Sequence, residues 1–168
     1  YVFGYEESYG SLIKPFVRDK DAPQACLMLA EAACYYKAQG KTLVDVLYAL
    51  YEELGYYEES QTSLKLEGQE GAMRIKQILS DLRASDVTEI AGEAVVRFED
   101  YKECIIKEKD ALRELTAFTN SDVLKYYLAD GSWIAIRPSG TEPKCKFYYC
   151  VKGTSLADAH EKTLAYQK

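Results

Sequence analysis

The sequence predicts an α+β chain: two helices within residues 1–56, then a mainly antiparallel sheet interrupted by helices over residues 57–168. Three observations carry that prediction. Apolar residues recur at helical spacing twice in succession before Gly55. Beyond Gly55, runs rich in Tyr, Val and Thr dominate, and two of them flank Asp130-Gly131, a strong hairpin signal. Helical spacing returns only around Ile75 and around His160.

The elements follow in order. Ala25, Cys26, Met28, Leu29, Ala32, Ala33 and Tyr36 form the stripe of a first helix, with Asp21 as its N-cap, Pro23 in its first turn and Gly40 as its stop. Thr42 caps a second helix whose stripe is Leu43, Val44, Leu47, Leu50, Tyr51 and Leu54, with Gly55 at its end. So short a link makes the two helices neighbours. "YYEESQTSLKLEG" alternates and reads as a strand. Met73, Ile75, Ile78, Leu79 and Leu82 form a third helix, expected to begin after Gly71. "EIAGEAVVRFEDY" holds short strand runs about Gly92, "VLKYYLADGSWIAIRPSG" a hairpin, and "KCKFYYCVKG" a further strand. Thr154 or Ser155, with Asp158 behind it, opens a last helix through Leu156, Ala157, His160 and Leu164. The first 55 residues therefore hold two helices with almost no sheet of their own, and the apolar stripes require a partner.

Bulk properties exclude several classes. No run of about 18 apolar residues is present, so no helical membrane span is expected. No leader of basic then apolar residues is visible. Net charge is −6 with Lys and Arg scattered, so nucleic acid is not an expected partner. Five cysteines without a CxxC, and one histidine, give no zinc pattern and suggest a reduced, cytoplasmic setting. The chain starts at Tyr1 in what reads as the end of a buried strand. The expectation is a piece of a larger protein, a trimmed complete domain being the other reading.

"RPSGTEPK" concentrates donors at one turn. Arg137 offers a planar fork that matches two phosphate oxygens, Ser139 and Thr141 offer hydroxyls, and Gly140 offers close approach and a positive φ. Successive N–H groups there suit an anion nest. Pro138 and Pro143 stiffen the turn, and Lys144 and Lys146 share one face of the strand that follows. Glu142 is expected to turn away. On residue types alone, an anion site and an ordinary Pro/Gly/Ser turn are equally good readings.

"GYEESYG" sets Glu6, Glu7 and Ser8 between two glycines. A carboxylate accepts from two adjacent hydroxyls at once, which suits a sugar diol, and an extended loop puts Glu6 and Ser8 on one side. "FVRDKDA", with Arg18, Asp19, Lys20 and Asp21, leads into the first helix. Two carboxylates flanking Lys20 make a poor cation site. Residue types alone also allow a solvated loop and a capped helix.

Together, "GYEESYG", "VRDKDA", two helices and then "RPSGTEPK" resemble the C-terminal part of an α-D-phosphohexomutase, of the bacterial phosphoglucomutase/phosphomannomutase branch. The resemblance spans essentially the whole chain and displaces both bland readings. It implies that residues 1–56 end a third, α/β domain and that residues 57–168 are a fourth, with helices on one face of its sheet as in TATA-box-binding-protein-like folds. It implies that Glu6 and Ser8 grip ring hydroxyls, that Arg137, Ser139, Gly140 and Thr141 grip the non-reacting phosphate with Lys146 nearby, and that Arg18 and Lys20 lie near the transferring phosphate, Lys20 assisting proton transfer. The implied reaction interconverts hexose 1- and 6-phosphate through a phosphoserine and a glucose 1,6-bisphosphate-type intermediate, with Mg²⁺. Neither a "TASHNP"-like serine loop nor a DxDxD-like metal loop occurs in the 168 residues. The chain alone is therefore expected to be inactive, to hold no metal, and to work with the remaining domains of its polypeptide on a hexose phosphate. A free-standing sugar-phosphate binding module, a phosphomannomutase and a phosphopentomutase are the alternatives.

Overall fold

Gly55, at φ 108°, caps the second helix and marks the seam between two units, Tyr1–Gly55 and Tyr56–Lys168. The structure is a computed structural model that describes residues 1–6, 9–108, 111–115 and 120–168.

In the first unit a small antiparallel pair, β1 (Gly4–Tyr5) and β2 (Ser11–Leu12), precedes α1 (Ala22–Lys37) and α2 (Leu43–Leu54). Asp21 starts α1 by accepting the Gln24 N–H at 2.9 Å. Thr42 starts α2 through a capping box: its Oγ1 accepts the Asp45 N–H at 3.1 Å, and the Asp45 carboxylate accepts the Thr42 N–H at 2.8 Å. Neither helix has a buried residue; Leu29 is 61% and Leu54 63% exposed. Among the described residues the two stripes are thus exposed or half-buried, Ala33, Tyr36 and Leu43 being among the half-buried positions.

The second unit runs β3 (Tyr56–Lys65), α3 (Gly68–Ala84), β4 (Glu89–Ile90), β5 (Glu93–Asp100), β6 (Ile105–Glu108), β7 (Ala111–Glu114), β8 (Leu124–Leu128), β9 (Trp133–Pro138), β10 (Lys144–Gly153) and α4 (Leu156–Tyr166). Its sheet has the order β3-β10-β9-β8-β5-β6-β7, with β4 on β5, and every pairing is antiparallel. The third helix begins three residues before Gly71, not after it. Gly71 lies in the first turn, where a Cβ would come within 3.0 Å of the Leu66 backbone. That glycine permits close packing and does not punctuate.

Alternation along the central strands builds one core face. Leu124, Tyr126 and Leu128 of β8, Ile134 and Ile136 of β9, and Cys145, Tyr149 and Val151 of β10 pack with Ile75 and Leu79 of α3 and Tyr166 of α4. Both helices therefore cover the same face, as expected of the fold class. Burial pushes the Cys145 and Cys150 thiols up to about 11, which suits packing and not reactivity. His160 is exposed on α4, 3.1 Å from the Glu58 carboxylate.

Asp130 ties the β8–β9 hairpin to α4. The connection, residues 129–132, is closed by Gly131 at φ 91° and by the Leu128 N–H donating to Ser132 O at 2.9 Å. The Asp130 carboxylate accepts the Ser132 N–H at 2.8 Å, the Ser132 hydroxyl at 3.0 Å, and the Lys162 ammonium and Tyr166 hydroxyl at 3.2 Å each. Burial alone would push this carboxyl up, but those donors outweigh it and hold it below the usual value. A depressed folded pKa means stabilisation that is present above the unfolded value, about 3.9, and lost as pH falls through the folded one. Asp130→Asn is accordingly expected to cost about 2 kcal/mol near neutral pH in chemical denaturation. The gap between variant and parent should close in acid; a gap independent of pH would contradict this account.

Candidate functional site

The Arg137 turn leaves the sheet at the end of β9 and returns at the start of β10. The Ser139 N–H donates to Lys144 O at 2.8 Å, the Lys144 N–H to Glu142 O at 2.8 Å, and the Leu66 N–H to Pro143 O at 3.0 Å. Inside the turn, Ser139 Oγ accepts the N–H of Thr141 at 3.4 Å and of Glu142 at 3.3 Å and lies 3.5 Å from Thr141 Oγ1. The N–H groups expected to form an open nest are thus turned on Ser139, through bonds long enough to yield to a better acceptor. Gly140 does not have the expected positive φ. A Cβ there would meet nothing within 4 Å, so its backbone conformation does not demand glycine.

Strand register supplies what the sequence did not state. Arg137 stands directly opposite Lys146 in the β9–β10 ladder, and Ser63 of β3 stands on the far side of Lys146. Like charges directly opposite on a sheet repel. Lys144 lies two residues before Lys146, on the same face. Arg137, Ser139, Gly140, Thr141, Lys144 and Lys146 line an open cleft of ≈ 370 Å³ together with Tyr148. Tyr148 was not singled out in the sequence, although its i+2 spacing from Lys146 puts it on the same face. A second cleft, of ≈ 800 Å³, lies against the same turn and is lined also by Gly68, Gln69, Lys76, Ser121 and Asp122. Asp122 in turn accepts from Arg83 of α3, whose Nε donates to the buried Asp100 carboxylate at 2.8 Å.

In the first unit, Lys20 comes to Glu6. Its ammonium is 3.4 Å from Glu6 Oε1 and 2.8 Å from Asp19 Oδ1. The Glu6 N–H donates to Gly10 O at 2.8 Å, and the Asp21 N–H to Ser11 O at 2.9 Å, which clips the loop to the start of α1. A Cβ at Gly10 would sit 2.2 Å from Lys20 Cδ, so a larger residue there would displace the lysine side chain from its present path. Asp19, and then Glu6, hold the Lys20 ammonium above the usual lysine value, so it is protonated at neutral pH. Arg18 is exposed in the same segment, and Ser8 lies outside the described residues. Among the described residues no group of three or more His, Cys, Asp or Glu is placed to hold a metal ion. No helix of the described residues is long and apolar enough to cross a membrane.

Fold and site define an α+β protein with a cationic turn at the rim of an antiparallel sheet, preceded by a separate helical unit. Known proteins of this class are found by comparison. The profile of the phosphoglucomutase/phosphomannomutase C-terminal domain matches residues 67–161, and that of α/β/α domain III matches residues 1–54. The chain belongs to the phosphoglucomutase/phosphomannomutase family. It is 40% identical over 163 residues to a phosphoglucomutase of Staphylococcus aureus strain N315, and 39% identical to that of strain MSSA476. Each match covers 96% of this chain and 29% of the relative, so the chain spans under a third of their length. Among solved structures it resembles the open form of the exocytosis-sensitive phosphoprotein pp63/parafusin, a phosphoglucomutase from Paramecium. That likeness has a TM-score of 0.58 at 16% identity, over 96% of this chain and 28% of the other, and speaks to the fold.

Proposed function

We propose that this chain supplies the sugar grip and the distal-phosphate grip of a phosphohexomutase that interconverts hexose 1-phosphate and hexose 6-phosphate. Glucose is the favoured sugar, on the names of the staphylococcal relatives. The observation that carries the reading is Arg137 facing Lys146 across two paired strands, with Lys144 on the same face and two hydroxyls in the turn between. A dianion relieves the repulsion among those cations, and the Arg137 fork matches two of its oxygens.

In this reading Arg137, Ser139, Gly140, Thr141 and Lys146 hold the phosphate that is not reacting. Glu6 and Ser8 take the ring hydroxyls. Arg18 and Lys20 meet the transferring phosphate, with Lys20 as a cation or proton donor, since its raised pKa leaves it no lone pair to act as base. The phosphoserine and the Mg²⁺ ligands belong to other parts of the polypeptide, because neither loop occurs in these residues. A glucose 1,6-bisphosphate-type species, turned end for end, then explains why a turn far from the chemistry must accept either phosphate.

A coupled assay of glucose 1-phosphate conversion tests the division of labour. The longer polypeptide containing this chain should convert it, and the pure 168-residue chain should not. Conversion by the chain alone, or none by the longer polypeptide, would refute the proposal. Tight binding of glucose 6-phosphate by the chain alone would favour a free-standing binding module.

A further inference from the structure

We propose that β3 is a self-association edge: it pairs antiparallel with β3 of a second copy of this chain, about a two-fold axis at Thr62, and joins the two sheets.

β3 is the outermost strand on one side of the sheet, and among the described residues it pairs with β10 alone. Its ten residues run in unbroken register, without a bulge and without proline. Sheet edges are ordinarily protected by shortness, proline, bulges or charges turned inward. The other edge, β7, has the first of these protections, being four residues long. Glu58, the one charged residue on the helix-bearing face of β3, lies 3.1 Å from His160 Nδ1 and is engaged within the chain. β3 is therefore a long, straight template for another strand.

Register shows which backbone groups point outward. The Leu66 N–H donates to Pro143 O at 3.0 Å, one step beyond the Lys65–Lys144 pair. Direction alternates along an antiparallel strand, so Leu64, Thr62 and Ser60 also turn their N–H and C=O groups to β10. Glu59, Gln61, Ser63 and Lys65 turn theirs away from it. A second copy placed about Thr62 sets Gln61 against Ser63 and Glu59 against Lys65, on both sides of the axis. Each of these residues then exchanges both of its backbone bonds with the second copy. A two-fold contact needs a surface that complements itself, and this strand does so.

Charge selects the register. Glu59, Gln61, Ser63 and Lys65 are exposed, and alternation puts them on the face opposite Leu64 and the core. Lys65 stands directly opposite Lys144 of β10, and like charges so placed repel. With the axis at Thr62, Glu59 of the second copy lands on the free flank of Lys65 and relieves that repulsion. Moving the axis to Gln61 sets Lys65 against Tyr57, and moving it to Ser63 sets Glu59 against Glu67. Neither alternative pairs opposite charges.

Sedimentation velocity of the 168-residue chain over a range of concentrations tests this. The parent should form a dimer. Gln61→Pro should abolish it, because the N–H removed points away from β10 and the ladder within the chain stays whole. Glu59→Lys should raise the dimer Kd about ten- to a hundredfold, since two attractive pairs become repulsive. Adding Lys65→Glu to Glu59→Lys should restore most of the loss. Thr62 faces itself as a non-hydrogen-bonded pair, with α-carbons about 4.5 Å apart. Mild oxidation of Thr62→Cys should therefore form a disulfide across the axis, distinguished from the five native cysteines by peptide mapping. A parent that stays monomeric at every concentration overturns the proposal. So does a dimer indifferent to both Gln61→Pro and Glu59→Lys, which would place the contact elsewhere, as on the exposed stripes of α1 and α2. Unaltered fluorescence of Trp133, the single tryptophan, checks that each variant is folded.

Discussion

Arg137→Ala in the full mutase polypeptide is expected to lower kcat/KM for glucose 1-phosphate by about 10- to 100-fold. The scale is that of losing charge-assisted hydrogen bonds to a phosphate, about 1.5–3 kcal/mol. Arg137 is exposed at the penultimate position of β9, so truncation removes a donor without touching the core formed by Ile134 and Ile136. Arg137→Lys should recover only part of the loss, because an ammonium is a point charge and cannot match two oxygens with a planar fork. Both variants should keep the parent's denaturation midpoint. Activity within twofold of the parent for Arg137→Ala would remove the turn from the substrate site.

Asp100→Ala should produce the largest loss of stability, about 3–5 kcal/mol. Asp100 is 1% exposed. One of its oxygens accepts Arg83 Nε at 2.8 Å, and the other accepts the N–H groups of Lys102 at 2.9 Å and Glu103 at 3.2 Å. Removing it leaves the Arg83 guanidinium, only 17% exposed, with Asp122 as its remaining carboxylate. Urea unfolding followed by Trp133 fluorescence reads the second unit directly, since Trp133 lies on β9. Replacing Arg83 and Asp100 together by Met and Leu should cost less than Asp100→Ala alone, because no unpaired charge is then left behind. A loss under about 1 kcal/mol for the single variant would show that water takes over the role of Asp100. The same triad fixes Asp122 beside the turn, so the stability of the fold and the shape of the rear cleft share residues.

How much was legible depended on the range of each interaction. The caps at Asp21, Thr42 and Ser155 were readable because donor and acceptor lie three residues apart, within a single helical turn. The β8–β9 hairpin was readable from Asp130-Gly131, and the turn's donors from their adjacency between Arg137 and Thr141. The start of α3 was misread because Gly71 answers to Leu66, a contact that leaves no periodic mark. The meeting of Lys20 with Glu6 spans 14 residues, and the tie of Asp130 to Lys162 spans 32, so neither could be foreseen from spacing.

The sequence by itself determined the types of group in the site, the local elements that carry them and the alternation that puts Lys144 and Lys146 on one face. These follow from backbone geometry that acts over a few residues. Tertiary structure alone decided that Arg137 faces Lys146, that Tyr148 stands beside them, and that Asp100 anchors Arg83 behind the turn. Register between strands is set by which alternation buries the Leu124, Ile136 and Cys145 face against α3. That choice is made by burial of the whole sheet, and the charged face inherits its pairings from it.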